Sequence, residues 1–550
     1  MKKIMALVLA LMLMLSCTGA LAEIPAIINL SDTKPITNEP FTLSVAGLIA
    51  DQNTTSYEDK WFWKYASEFL NINFEFEGIT GTAKNERLSL MFAADDLPDF
   101  LFGFGMTTAD LVRYGTVEEQ LMPLEGYITP ELTPNIYALK QEVPEVFAMA
   151  TSPDGHMYTL PNMTYTDTAY STTAALNQEW LKAVNKTSPT TLDELVDVLY
   201  AFKEAKPAGE ATLPLGGSYA SRNPSTILLY ALGFDGGGAI GLDPALLNGK
   251  AVIPAGTELY LEYLKLMNQF YTDGIISLDF YTLDKAQVDA QREAGNIGLL
   301  SGYNTLTSLA DFKTGWAMQP LTSKWSETPV WPGPAYFAIG NFVMSSACEH
   351  PEVVMRFMDW MFTKEGEILS EYGPPANADE SVKMGYGGYY FLEDGTYCYT
   401  DYNDVENNGG YASHWDYMSK RIQGLYGGKA GDRRQIELKR QSIAGAPETG
   451  ANFDMENVDR YSRKANLEVV SPFYTVGYPT ITWMDEETTL AIVDLKTVID
   501  KFIEQETAKF ITGQRSLDEF DTYLNELNDL GFAEYQQYYV DAYEQYLKAL

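Results

Sequence analysis

Thiols, imidazoles and basic side chains are the scarce components of this chain. Its 550 residues include three Cys and three His. Neither type is spaced as a zinc site requires, since no C-x-x-C occurs and His156, His350 and His414 form no H-E-x-x-H pair. With no G-x-x-x-x-G-K loop either, the sequence predicts no metal, no nucleotide and no other cofactor. Lys and Arg number 38 against 75 Asp and Glu, giving a net charge of -37. Nucleic acid and anionic membrane faces are poor partners for such a surface, because both need basic groups to neutralise phosphates. Long apolar runs are missing beyond the first residues, so no later segment is expected to cross a membrane. Internal repeats and low-complexity stretches are missing as well.

What is present begins with a secretory signal over residues 1–22. Lys2 and Lys3 open it, Ile4 to Leu15 form its apolar stretch, and Ala20-Leu21-Ala22 is a small-residue cleavage site. A second reading competes, since Met14-Leu15-Ser16-Cys17 has the form of a lipobox whose Cys17 would be acylated. Both place the protein outside the cytoplasmic membrane, extracellular or periplasmic, either free or lipid-anchored. Cys348 and Cys398 remain in the mature chain, and a disulfide and two buried free thiols are both open. At this length two or more globular lobes are expected.

Strand-like and helix-like segments alternate, the pattern of α/β lobes. Phe41 to Ala50 reads as a strand, a helix follows to about Asn71 with Trp61, Phe62, Tyr65, Ala66, Phe69 and Leu70 on one face, and Ile72 to Ile79 reads as the next strand. Thr191-Leu192-Asp193-Glu194 and Ser516-Leu517-Asp518-Glu519 have capping-box spacing. Pro351 suits a first helical turn, and the helix it opens is expected to run to about Ser370. The last hundred residues are mainly helical in pattern.

Three arrangements touch on chemistry. Gly216-Gly217-Ser218-Tyr219-Ala220 nearly fits a serine-hydrolase elbow, but Ala220 replaces the last Gly, and the segment reads as a turn. Asp404, Glu406, Asn408 and Gly409 resemble the start of a calcium loop, but Trp415 stands where its bidentate Glu belongs. Asp95 with Asp96, and Asp485 with Glu486 and Glu487, could supply a glycosidase-like carboxylate pair. Their ordinary reading is solvated surface or helix start.

Several segments resemble the extracellular solute-binding proteins of carbohydrate-type ABC importers (family 1), in particular the long, lipoprotein-like members. Met91 to Asp99 resembles the turn "M-A-S-G-D-x-P-D", with Ala94-Asp95 where Ser-Gly is usual. Pro153 to Pro161 resembles "D-G-K-x-Y-x-L-P". Asn177 to Leu181 with Pro189 to Leu195, Asn341 to Gly373, and Lys509 to Gly513 with Ser516 to Tyr523 match further stretches. The resemblance implies a two-lobe periplasmic-binding-protein-like α/β fold of class II type with a mainly helical C-terminal region. Three interlobe crossings would fall near Thr164 to Ser171, Pro332 to Asn341 and Tyr390 to Asp401. The lobes would comprise 41–166 plus 338–398, and 167–337 plus 399–550.

The resemblance further implies a monomer that catalyses nothing, captures a solute between its lobes and delivers it to an ABC importer permease. A sugar site needs aromatic plates with carboxylates and amides around them. Placement along the chain selects Asp51, Tyr57, Trp61, Asp96 and Asp99 in the first lobe, and Tyr165, Asp167 and Tyr170 near the first crossing. In the second lobe it selects Tyr303, Asn304, Trp316 and Trp331, with Tyr411, His414 and Trp415 in a Gly-rich loop. An oligosaccharide is the expected ligand. A secreted glycoside hydrolase and a receptor for a peptide or cationic solute are the alternatives.

Overall fold

The structure is a computed structural model that describes residues 24–31, 34–49, 56–163, 172–303, 315–333, 337–374, 389–391, 397–399, 420, 430–432 and 465–549. The chain opens on strand β1 (Phe41–Ile49). Helix α1 (Trp61–Leu70) then packs Phe62, Trp63, Ala66 and Leu70 inward. Asn71 ends it in the left-handed conformation that Asn tolerates, and β2 (Ile72–Thr80) returns parallel to β1 along its whole length. Helix α2 (Lys84–Ala94) leads to β3 (Phe100–Phe102), parallel to β1 on its other edge. Strands of such a parallel sheet are covered on both faces and read as continuous apolar runs. Val45, Ala46, Phe100, Leu101 and Phe102 are accordingly all buried.

A two-residue strand β4 (Asn162–Met163) ends this passage. The second sheet comprises β5 (Thr172–Asn177), β6 (Leu213–Leu215), β7 (Ile297–Tyr303) and β8 (Gly315–Met318), in the spatial order β8-β5-β7-β6. Helix α3 (Leu192–Ala205) carries the expected capping box between Thr191 and Glu194. It lies so close to β7 that a Cβ on Gly298 would meet the Phe202 ring at 2.6 Å. Helix α4 (Tyr260–Thr272) and helix α5 (Lys285–Glu293) complete this part of the second lobe.

The chain then returns through β9 (Phe337–Ala338), antiparallel to β4. Strand β10 (Phe342–Met344) follows and pairs antiparallel with β3, giving the first-lobe order β10-β3-β1-β2. The helix expected from Pro351 to about Ser370 is two helices, α6 (Pro351–Met361) and α7 (Lys364–Tyr372). Thr363 accepts a hydrogen bond from the Gly366 amide and so caps the second helix, while a Cβ on Gly366 would sit 2.2 Å from the Trp360 carbonyl oxygen. The apolar periodicity continues across this corner, which is why it does not show in the pattern.

Strand β11 (Gly431–Asp432) adds to β4 in parallel, so β9, β4 and β11 form a small sheet where the chain passes between lobes. Ala430 still belongs to the first core, beyond the 398 expected for that lobe, and Ala465 belongs to the second. The C-terminal helices α8 (Glu486–Thr512), α9 (Phe520–Asp529) and α10 (Phe532–Ala549) pack into the second lobe. Asn268 on α4 donates to the Phe510 carbonyl at 3.0 Å, and the Tyr523 hydroxyl donates to the Ala255 carbonyl at 3.0 Å. Gly513 takes the left-handed position that closes α8.

Two large hydrophobic cores result among the described residues, with smaller clusters beside each. One joins residues between Ala174 and Trp331 to the C-terminal helices, and the other is built from Ile28 to Met163 and Phe337 to Phe362. Between Tyr478 and α8 the chain visits the first lobe once more: Ile481 enters its core, and the Trp483 indole donates to the Met149 carbonyl at 2.7 Å. Thr108 donates to the Thr482 carbonyl at 3.1 Å in the same strap.

Candidate functional site

In each lobe, one end of the sheet faces the passage between lobes. In the first lobe it is the end where Phe342 pairs with Phe102. There Gly103 donates to the Asn341 carbonyl at 2.7 Å, and Met106 donates to the Gly340 carbonyl at 2.8 Å. Gly340 is obligatory, because its φ is +80° and a Cβ would lie 1.9 Å from the Met106 oxygen. In the second lobe it is the end where Tyr303 pairs with Thr172, beside the loop from Gly216 to Pro224 that follows β6. Ligands of open α/β sheets bind in such crevices, outside the strand ends.

The sequence-derived candidates distribute unevenly over this geometry. Tyr57 is 1% exposed; its hydroxyl donates to the Leu48 carbonyl, and its ring stacks on Phe76 and meets Trp63 and Phe102 edge-on. It is a core side chain, held in place because burial is the better use of a ring whose one polar atom finds a backbone partner. Trp61 is half-buried and stacks on Tyr65 with centroids 4.8 Å apart. Asp99 accepts from the Ser44 amide at 2.7 Å and the Ser44 hydroxyl at 2.8 Å, which locks β1 to the start of β3. That is the end of the sheet away from the passage, and exposed Asp96 lies in the same turn. Asp95 fills the left-handed position usual for Gly, with φ of 53°, and accepts from the Gln120 side chain at 2.9 Å.

On the second lobe, Tyr303 stands at the passage-facing end of β7, whereas Trp316 pairs with Leu176, toward the opposite end. Trp331 is 2% exposed and packs edge-on against Tyr230. Asp51, Tyr165, Asp167, Tyr170, Asn304, Tyr411, His414, Trp415 and Cys17 lie outside the described residues, as do Asp404, Glu406, Asn408 and Gly409. Cys348 is a buried free thiol, pushed up to about 12 chiefly by burial, which makes it inert.

The near-match to a hydrolase elbow is a tight turn. Gly217 has φ of +107° and a Cβ there would meet the Arg222 carbonyl oxygen at 2.1 Å, while Ser218 is fully buried and accepts from the Ser221 amide at 3.0 Å. A hydroxyl so enclosed is no exposed nucleophile. Asp485 caps α8 by accepting from the Thr488 amide at 2.8 Å, a bond that holds its carboxyl below the ordinary value. Among the described residues no three His, Cys, Asp or Glu could hold a metal ion, and no helix is long and apolar enough to cross a membrane.

Two residues at the passage-facing ends were not among the sequence-derived site candidates, although Asn341 opens one of the family-like stretches. Arg222, with φ of 54°, lies against Gly302 of β7: a Cβ on that glycine would be 3.3 Å from the Arg222 Cγ. Its Nε is 3.5 Å from Asp289 on α5. Asn341 places its side-chain oxygen 3.7 Å from the Cβ position of Gly105, a glycine with φ of +54°. Left-handed backbone at a non-glycine residue is set by tertiary contacts and cannot be read from residue type.

Comparison with known proteins bears on the whole arrangement. The family model described as bacterial extracellular solute-binding protein matches residues 52–368. A fructooligosaccharide ABC transporter substrate-binding protein, FusA of Streptococcus pneumoniae serotype 4, is 23% identical over 506 residues, covering 84% of this chain and 82% of the relative. The lipoprotein LipO of Bacillus subtilis is 26% identical over 247 residues, 42% of this chain and 46% of its own. Among solved structures, S. pneumoniae FusA in complex with kestose superposes with a TM-score of 0.75 at 18% identity, covering 92% of this chain and 100% of that one. An HMO-binding, ABC-transporter-associated solute-binding protein from Bifidobacterium longum infantis gives a TM-score of 0.73 at 17% identity, with 92% and 99% covered. The two-lobe solute-binding fold is thus shared across the described chain.

Proposed function

This chain belongs to the bacterial extracellular solute-binding protein family, and from that premise we propose that it is a non-catalytic receptor. It captures an oligosaccharide between its two lobes and hands it to the permease of an ABC importer. The observation that carries the reading is the pair of separate α/β cores joined by the small β9-β4-β11 sheet, an architecture that closes by hinge motion about its connecting strands. The FusA relative is named for fructooligosaccharide, and its matching structure holds kestose. A short fructan is therefore the first ligand to try. The Asp95 carboxylate, engaged by the Gln120 side chain, and that of Asp485, engaged in capping α8, favour binding over glycoside hydrolysis.

Thermal unfolding of the purified protein against kestose and a panel of gluco-, galacto- and manno-oligosaccharides tests this. Ligand at a hundredfold excess over Kd adds about 2.7 kcal/mol of stability, so one sugar class should raise the melting temperature by several degrees. Chromatography of the sugar after incubation should return it intact. Shortened products, or no shift with any sugar and a shift with peptides, would overturn the reading. The protein works on the outer side of the cytoplasmic membrane, tethered through Cys17 or free after cleavage at Ala22. Acyl labelling of wild type and Cys17→Ala separates the two.

A further inference from the structure

A receptor that closes on its ligand needs at least one firm polar contact from each lobe, so that neither lobe alone completes the site. The passage-facing sheet ends offer one such group on each side.

On the second lobe it is Arg222. The loop that carries it leaves β6 through Gly216 and Gly217, and the Gly217 position exists only without a Cβ, because the Arg222 carbonyl oxygen fills that space. Arg222 itself is held at φ of 54°, a conformation that is strained for a non-glycine residue and persists only where the surroundings impose it. Its stem runs over Gly302, one residue before the end of β7, where any side chain would displace it. Asp289 stands 3.5 Å from its Nε, Lys285 and Arg292 approach the same carboxylate, and Arg292 also meets Glu293. The guanidinium is thereby fixed before a ligand arrives, so its rotamer entropy is already lost and its planar donors can meet hydroxyl oxygens without further ordering.

On the first lobe it is Asn341. Its backbone carbonyl is used by Gly103, but its half-buried carboxamide makes no hydrogen bond among the described residues. It stands beside Gly105, whose φ of +54° keeps the loop's backbone close to it. A carboxamide both donates and accepts, the complement of a sugar hydroxyl pair.

We propose that Arg222 and Asn341 are the two polar clamps of the ligand site, one from each lobe, which grip hydroxyls of the same oligosaccharide when the lobes close. This rests on the receptor reading above and adds to it the residues that select a hydroxyl-rich, neutral ligand.

The test is calorimetric titration of whichever sugar shifts wild type, starting with kestose. Arg222→Gln and Asn341→Ala should each weaken binding about tenfold or more, the usual loss for a buried hydrogen bond to ligand. Arg222→Lys, which keeps the charge and loses the fork, should fall between wild type and Arg222→Gln. Asp289→Asn breaks the Arg222 ion pair from the other side. A purely structural Arg222 predicts that Asp289→Asn and Arg222→Gln lose affinity equally; the clamp predicts a much smaller loss for Asp289→Asn at a similar melting temperature of the free protein. Wild-type affinity in Arg222→Gln or Asn341→Ala overturns the clamp and leaves the receptor intact. A wild type that binds none of the sugars overturns both.

Discussion

Single side chains carry unequal loads in this protein, and two of them make the point in opposite directions. Lys60 is fully buried at the start of α1 with its amine over the Tyr57 ring, 4.4 Å from the centroid, and with no hydrogen-bond acceptor among the described residues. Burial pushes that amine down to about 8. The folded state therefore resists protonation, the unfolded chain binds the extra proton between pH 8 and 10.5, and stability rises with pH across that window. Lys60→Met should be more stable than wild type by about 3 kcal/mol at pH 7, with the advantage shrinking toward zero near pH 10.5. Urea unfolding at both pH values reads the difference, and a gain that does not change with pH would sink the account. Asp359 works the other way: its buried carboxylate accepts from the Asn135 and Ile136 amides at 2.8 and 2.9 Å and from the Asn135 side chain at 2.8 Å. It caps a helix more than two hundred positions earlier. Asp359→Ala strands those donors and should cost about 3 kcal/mol in chemical unfolding. Neither role is legible in the sequence, where Lys60 looks like a solvated helix start and Asp359 like one more acid in a motif.

At the scale of elements, local chemistry reads well wherever a cap or a period decides the outcome. Strands β1 and β2, helix α1 and the Thr191 capping box lie where alternation, the apolar face and the Thr-x-x-Glu spacing put them. The corner between α6 and α7 does not, because its cause is a contact of the Gly366 backbone with the Trp360 carbonyl. Gly366→Ala should lower stability by about 3 kcal/mol, the upper range for forcing an extra methyl into a closed space, measurable as a fall in the urea midpoint. A variant as stable as wild type would mean that the corner relaxes freely. The Ser516 segment is a milder case: Ser516 caps a single turn, Leu517–Glu519, before α9 begins, without the reciprocal Glu bond of a full box.

At the scale of the whole molecule, two cores communicate through the three short hinge strands and the strap that plants Ile481 and Trp483 in the first lobe. Removing the indole should loosen that link. Trp483→Ala is expected to split one calorimetric unfolding transition into two, one per lobe, and an unchanged single peak would show that the hinge alone couples them. The family-like segments have a common property at this scale: Asp99 locks β1, Asn177 and Thr191 cap helices, Gly513 closes α8 and Tyr523 anchors α9. They are scaffold residues, so the sequence by itself determined acidity and the alternation of elements, which depend on composition, period and short-range capping, while the two-lobe fold was implied by the family resemblance. Which groups line the passage was decided only by tertiary structure. Tyr57 and Trp331 are aromatic enough to hold a sugar but are taken by the cores, whereas Arg222 and Asn341 gain their places from strand ends and left-handed turns. Residue type says what a side chain can bind, and the long-range contacts of the folded chain settle which side chains are left at the cleft to bind it.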